Sequence, residues 1–271
     1  MKLIVMLLLM LGAAHASLLA PPRTRTLRIR GGADDEGASE DSNTLTEDQV
    51  MEKLNAIPTF VVMSGQDESG FAALTTKEGT HAICFFTEPE EAKAILNMTQ
   101  SVDPNTPLRL ATIGLGNALK LCNGLPGSTD SEGPRAAFAE FDGDLKLQNF
   151  HGVSEKAAPQ LKSMLETAGI EAGAWTFPVF MCEELSSKDV LPIFLNPREI
   201  HTMCMAAFER QGITDKEPPT KFAMVDIRML VNDMQTKRGE GIPWSKVVFI
   251  GPEGAADFAN ELRAQAQASA A

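Results

Sequence analysis

The residue types able to do chemistry in this chain are few and widely spaced. Ile113-Gly114-Leu115-Gly116-Asn117-Ala118-Leu119 sits where an apolar run gives way to a helical pattern. In that context a glycine loop can cradle a dinucleotide pyrophosphate. Leu119 stands where the third glycine belongs, however. The acids about 20 positions on, Glu132 and Glu140, fall in a loop and a hairpin pattern instead of at the end of a paired strand. The two glycines then serve a tight turn and close helix packing, and a nucleotide-dependent enzyme using Gly114 and Gly116 is kept as the alternative. His201 and Cys204 are three apart on a helical pattern and would share a face, but beyond residue 33 only His81 and His151 remain to complete a dyad or metal set. A packed helix face is the simpler reading. Glu140, Asp142 and Asp144 surround an Asp-Gly turn, and a calcium loop needs more oxygen ligands at regular spacing. Asn97-Met98-Thr99 matches the glycosylation acceptor pattern; placed at a predicted helix end, it reads as incidental. No catalytic residue, metal ligand or cofactor is assigned.

The four cysteines, Cys84, Cys122, Cys182 and Cys204, are far apart and form no C-x-x-C pair. That argues against a zinc site, a thioredoxin-type pair or a disulfide scaffold, and for buried thiols. Charge is unevenly distributed. The net charge is −12, yet residues 1–33 carry five basic side chains and no acid, so the remainder carries 36 acids against 19 bases, or −17. A body this acidic disfavours nucleic acid, because neutralising phosphates needs clustered Lys and Arg. Ten of the 13 methionines follow residue 33, and six fall late: Met181, Met203, Met205, Met224, Met229 and Met234. Methionine adapts to irregular partners. These residues read either as an adaptable apolar groove or, for Met203, Met224 and Met229, as core filling.

Residues 1–16 read as a secretory signal peptide: Met1-Lys2, an apolar run over 3–11, and Ala14-His15-Ala16 before the cut. The run is too short to span a membrane, and no transmembrane segment is predicted elsewhere, so any membrane association is peripheral. Residues 17–32 hold four arginines and no acid, a transit-like composition. The two together resemble the bipartite leaders of algae whose plastids lie inside extra membranes; the alternative is a secreted protein with a basic pro-segment. Residues 17–45 are the transit-like segment and an acidic linker rich in Gly and Ser.

Everything beyond is patterned twice. Ile57-Pro58-Thr59-Phe60, Ile83-Cys84-Phe85-Phe86 and Leu110-Ala111-Thr112-Ile113 are matched by Phe177-Pro178-Val179-Phe180, Leu191-Pro192-Ile193-Phe194 and Phe222-Ala223-Met224-Val225. Thr87-Glu88-Pro89-Glu90 and Asn196-Pro197-Arg198-Glu199 share one helix-start grammar, a capping residue, an early proline and a glutamate three positions on. Phe138 lies 25 residues beyond Ile113, and Phe249 lies 24 beyond Val225. The expected fold is α/β (α+β), with two pseudo-symmetric lobes, each a strand-strand-helix-strand-helix-strand unit, over 46–165 and 166–263. Residues 136–150 read as one hairpin around Asp142-Gly143, residues 123–134 as a surface loop, and 264–271 as a frayed tail.

The ordered set of these motifs, with Trp244-Ser245-Lys246-Val247-Val248-Phe249 near the end, resembles the family of the 22-kilodalton subunit of the translocon at the inner envelope of chloroplasts. The resemblance spans roughly residues 47–263. It implies a two-lobed α/β protein with no catalytic centre that escorts precursor proteins with transit peptides across the envelope intermembrane space. Other translocon subunits would be its partners. The apolar surface where the lobes meet would bind the client. Ile57, Pro58 and Phe60 with Phe177, Pro178 and Phe180 are the candidates for that surface.

Overall fold

A computed structural model describes residues 44–65, 70–125, 135–147, 157–187, 189–213, 215, 217–219, 222–236 and 244–270. The leader, residues 126–134 and the linker up to 43 lie outside them, so the signal-peptide, transit-like and most of the loop expectations are not touched by it. Helix α1 (Glu47–Asn55) starts at a reciprocal cap: Gln49 N–H donates to Thr46 Oγ1 (3.3 Å), and Thr46 N–H donates to Gln49 Oε1 (2.9 Å). Val50 and Leu54, one turn apart, are its buried stripe.

The first sheet is built on β1 (Pro58–Ser64), flanked by β4 (His81–Phe86) and β5 (Leu108–Gly114), both antiparallel to it. β6 (Ala136–Phe138) adds beside β4 in parallel. Two short strands, β2 (Gly70–Phe71) on β1 and β3 (Ala73–Thr75) on β4, extend it. The second sheet runs β11 (Ala223–Asp226), β9 (Pro178–Met181), β10 (Leu191–Phe194), β12 (Val247–Ile250). Its β9 is antiparallel to β11 and β10, and β10 is parallel to β12. The path β5-β1-β4-β6 and the path β11-β9-β10-β12 therefore match in order and direction. Register matches too. Phe60 lies opposite Thr112 and Phe86, Phe180 opposite Met224 and Phe194, and the prolines Pro58 and Pro178 oppose Gly114 and Asp226. Each proline opens its strand, where the missing N–H costs least.

Helices α2 (Pro89–Val102) and α5 (Pro197–Arg210) follow β4 and β10, while α3 (Leu115–Leu121) and α6 (Ile227–Thr236) follow β5 and β11. Each half thus threads strand, strand, helix, strand, helix, strand, and the chain is α+β. The sheets share one core. Ile57, Val61, Phe85 and Phe138 of the first half pack with Trp175, Phe177, Val179, Ile193 and Phe249 of the second, closed off by α1, α3 and α6. Phe138 meets Phe177 edge-on at 4.7 Å between centroids.

The outer face of the first sheet (Phe60, Val62, Cys84, Phe86) is covered by α2 and by the last helix, α7 (Ala255–Ala270). The outer face of the second (Phe180, Cys182, Phe194) is covered by α5 through Ile200, Cys204 and Phe208. α4 (Ala157–Thr167) lies against β11. The helix that closes each half in sequence thus packs on the other half's sheet.

Three expectations change. Residues 264–270 of the tail are helical, as α7 continues to Ala270, while Phe258, Ala259 and Leu262 hold the earlier part of that helix to the sheet. Residues 136–138 do not belong to a hairpin: Ala137 and Phe138 are fully buried and pair with Cys84 and Phe85. Among the described residues the hairpin is β7 (Glu140–Phe141) and β8 (Leu145–Lys146), with Gly143 at φ +108° in the turn; residues 148–150 lie outside them. β2 and β3 come from a stretch whose apolar pattern is too short to read.

Candidate functional site

The β5-to-α3 turn is closed from behind by the end of α1. Asn55 Oδ1 accepts the N–H of Asn117 at 3.0 Å, filling one of the free donors of a helix start. A Cβ on Gly114 would come within 2.8 Å of Asn55 Cα, and one on Gly116 within 3.0 Å of Met51 Sδ. The glycines are there to let α1 approach, which leaves no cradle for a pyrophosphate. Glu140 lies in the β7–β8 hairpin, and Glu132 lies outside the described residues. The nucleotide alternative at Gly114 and Gly116 is therefore set aside.

The equivalent turn of the second half is filled differently. Asp226 Oδ1 accepts the N–H of Arg228 (3.0 Å), and Oδ2 accepts that of Phe177 (3.1 Å). The Arg228 guanidinium grips the same carboxylate through Nε (2.8 Å) and Nη2 (2.9 Å). It also donates to the carbonyls of Ala172 (2.7 Å) and Trp175 (3.0 Å) and lies 4.1 Å from the Trp175 ring centroid. This buried ion pair was not anticipated. An acid and an arginine two apart at the end of an apolar strand were the available signal.

Other candidates separate. His201 is exposed on α5, whereas Cys204 is fully buried beneath it, so they do not act on one face. Asp142 pairs with Lys146 (3.0 Å) and Asp144 with Lys77 (2.6 Å). The Lys146 contact holds the Asp142 carboxyl below its usual range, and the acids of the turn are matched by lysines instead of waiting for a cation. All four cysteines are buried, and none is in a disulfide. Burial pushes the thiols of Cys84 and Cys182 up to about 12, which suppresses the nucleophilic thiolate.

The six apolar candidates are all interior. Ile57 and Phe177 belong to the shared core, Phe60 stacks at 5.1 Å on Phe258 of α7, and Phe180 packs under α5 and against Phe222. Pro58 and Pro178 are buried at the strand starts. β1 and β9 are central strands covered on both faces, so both alternating sets of side chains are hidden. The junction of the halves is a filled core and not an open trough.

The exposed large apolar side chains lie partly on helices and partly at Val190, Ile213 and Val248, which are not on helices. Met98 (39%) and Val102 (80%) are exposed on α2, and Met203 (39%) and Met205 (44%) on α5. Met203 is thus not core filling; Met234 is fully buried, and Met224 packs partly under α5. The starts of α2 and α5 meet: Asn196 Nδ2 donates to Glu88 Oε1 at 2.6 Å, joining the two matched cap positions. Beside them, Glu91 Oε2 accepts the N–H of Phe141 (3.3 Å), and Glu199 Oε1 accepts that of Glu253 (3.0 Å). Burial raises the carboxyl of Glu88 and pushes that of Glu91 up to about 8, with Glu140 and Glu88 adding to the latter. Of these contacts only the Asn196–Glu88 bond joins the two halves; the other two each lie within one half. Among the described residues, no group of three or more His, Cys, Asp and Glu is placed to hold a metal ion, and no helix is long and apolar enough to cross a membrane.

No family model matches this chain, and no curated protein matches it. Among solved structures it is similar to Tic22 from Plasmodium falciparum, with a TM-score of 0.48 and 15% identity over 80% of this chain and 98% of that one. It is also similar to Anabaena Tic22, described as a protein-transport protein, with a TM-score of 0.47 and 15% identity over the same shares of each chain.

Proposed function

We propose that this chain is a non-catalytic import factor of a plastid, binding precursor proteins as they cross the envelope intermembrane space. The observation that carries the reading is the charge distribution, five bases without an acid in residues 1–33 and −17 over the rest. The motif resemblance to the translocon subunit family agrees with it. A strongly acidic body attracts basic transit peptides at long range and steers their approach.

Contact at short range then falls to the exposed side chains Met203 and Met205 of α5, in place of the six interior residues. Thioether side chains can repack against many sequences. Binding of this kind is shallow and reversible, so handover follows from competition by other translocon subunits. The route to the plastid is secretory, through the signal peptide of residues 1–16 and the transit-like segment behind it.

The test is fluorescence anisotropy of the mature chain with a labelled peptide of residues 17–33, itself a transit-like sequence. Saturable binding that weakens with salt is expected, with little binding to a peptide whose arginines are replaced by glutamate. Equal binding of both peptides sinks the reading. Residues 1–45 fused to a fluorescent protein test the address, and export to the medium would favour a secreted interaction module instead.

A further inference from the structure

The 271 residues contain one N-x-[ST] tripeptide, Asn97-Met98-Thr99. The structure moves it from the expected helix end into the body of α2, which runs on to Val102. The buried stripe of α2 is Pro89, Ala92 and Ile95. Asn97 lies about 200° round the helix from Ile95 and is exposed. Ala94 and Ser101, one turn to either side of it, are exposed and small, which leaves room for a bulky polar group. The α2 surface is thus one on which a sugar costs no packing.

We propose that Asn97 is a site of N-linked glycosylation, modified as the chain enters the secretory pathway. The proposal rests on reading residues 1–16 as a signal peptide. The co-reactant is an oligosaccharide carried on a polyprenyl diphosphate. The amide nitrogen Nδ2 of Asn97 attacks the anomeric carbon of the first sugar. A C–N bond forms there, the bond from that carbon to the diphosphate oxygen breaks, Nδ2 gives up one proton, and the lipid diphosphate leaves with the bonding pair. No electron donor or acceptor is needed.

In the folded helix the Thr99 hydroxyl donates to the carbonyl of Ile95 at 2.8 Å. The tripeptide is therefore available to a transferase before α2 forms, during entry, and the fold only has to tolerate the product. An acceptor of this type belongs on a surface, and the outward face of α2 meets that condition.

Cell-free translation of the full chain with microsomes tests it. A protease-protected product with one slower-migrating form is expected, returned to the faster mobility by an amidase that releases N-glycans and leaves aspartate at 97. Asn97→Gln and Thr99→Ala should abolish the shift, and Thr99→Ser should keep it. A protected chain with no shift overturns the proposal while leaving the secretory reading intact. A chain that stays protease-sensitive overturns both.

Discussion

Glu91 shows how one side chain couples the fold to pH. Its carboxyl is raised from its ordinary 4.5 to about 8, first by burial and then by Glu140, Glu88 and Asp142, while the N–H of Phe141 works the other way. A group whose pKa is higher folded than unfolded stabilises the fold fully below the unfolded value, and this contribution is lost as pH rises to the folded one. The window here is pH 4.5 to about 8. Glu88, raised by the same cause, acts in the same direction. Glu91→Gln keeps the shape of the protonated acid. It should match wild type in chemical denaturation near pH 4.5, gain an advantage that grows up to about pH 8, and hold it above. A constant offset at every pH would assign the residue a packing role alone. Asp226 and Arg228 differ in kind: each finds its opposite charge inside the protein, and the pair holds the Trp175 segment.

At the scale of elements, α7 carries an unexpected share of the first sheet's stability. Phe258 lies on Phe60 and under the Lys93 ammonium, 4.4 Å from its ring centroid. Phe258→Ala should cost about 2 kcal/mol, the burial of a partly covered aromatic side chain. Thermal unfolding should show it, and a Tm unchanged from wild type would mean that α7 rests on the sheet without holding it. Helix starts were legible from sequence because caps and early prolines are local chemistry: Thr46, Pro89, Asn196 and Pro197 stand where such residues belong, although Glu88 and not Thr87 takes the cap position of α2. The strands β2 and β3, and the parallel partner of β6, were not. At two or three residues each, their pairing comes from neighbours on β1 and β4, and no periodicity survives at that length.

The whole molecule behaves as one unit because its two sheets share a core and exchange their closing helices. Cut at residue 165, the first half would expose Val61, Phe85 and Phe138 and lose α7; the second would expose Phe177, Val179 and Phe249. Neither half expressed alone should show a cooperative unfolding transition, and mixing the two should restore one. A cooperative transition in an isolated half would show that the shared core is dispensable to it. The same sharing closes the junction, since surface that holds the halves together is not open to solvent.

The amino-acid sequence by itself determined the longer strands and their order along the chain, the matched pattern of the halves, and the apolar positions that need cover. Those follow from local propensity and from which side chains avoid water. Only the tertiary structure decided that the sheets close on each other, that α7 crosses to the first sheet, and that Ile57, Pro58, Phe60, Phe177, Pro178 and Phe180 are interior. An apolar pattern states that a face must be covered and does not state by what. Gly114 makes the point in reverse: a glycine is needed both where a phosphate approaches a backbone and where a helix does. Asn55, 59 residues earlier in the chain, settles which.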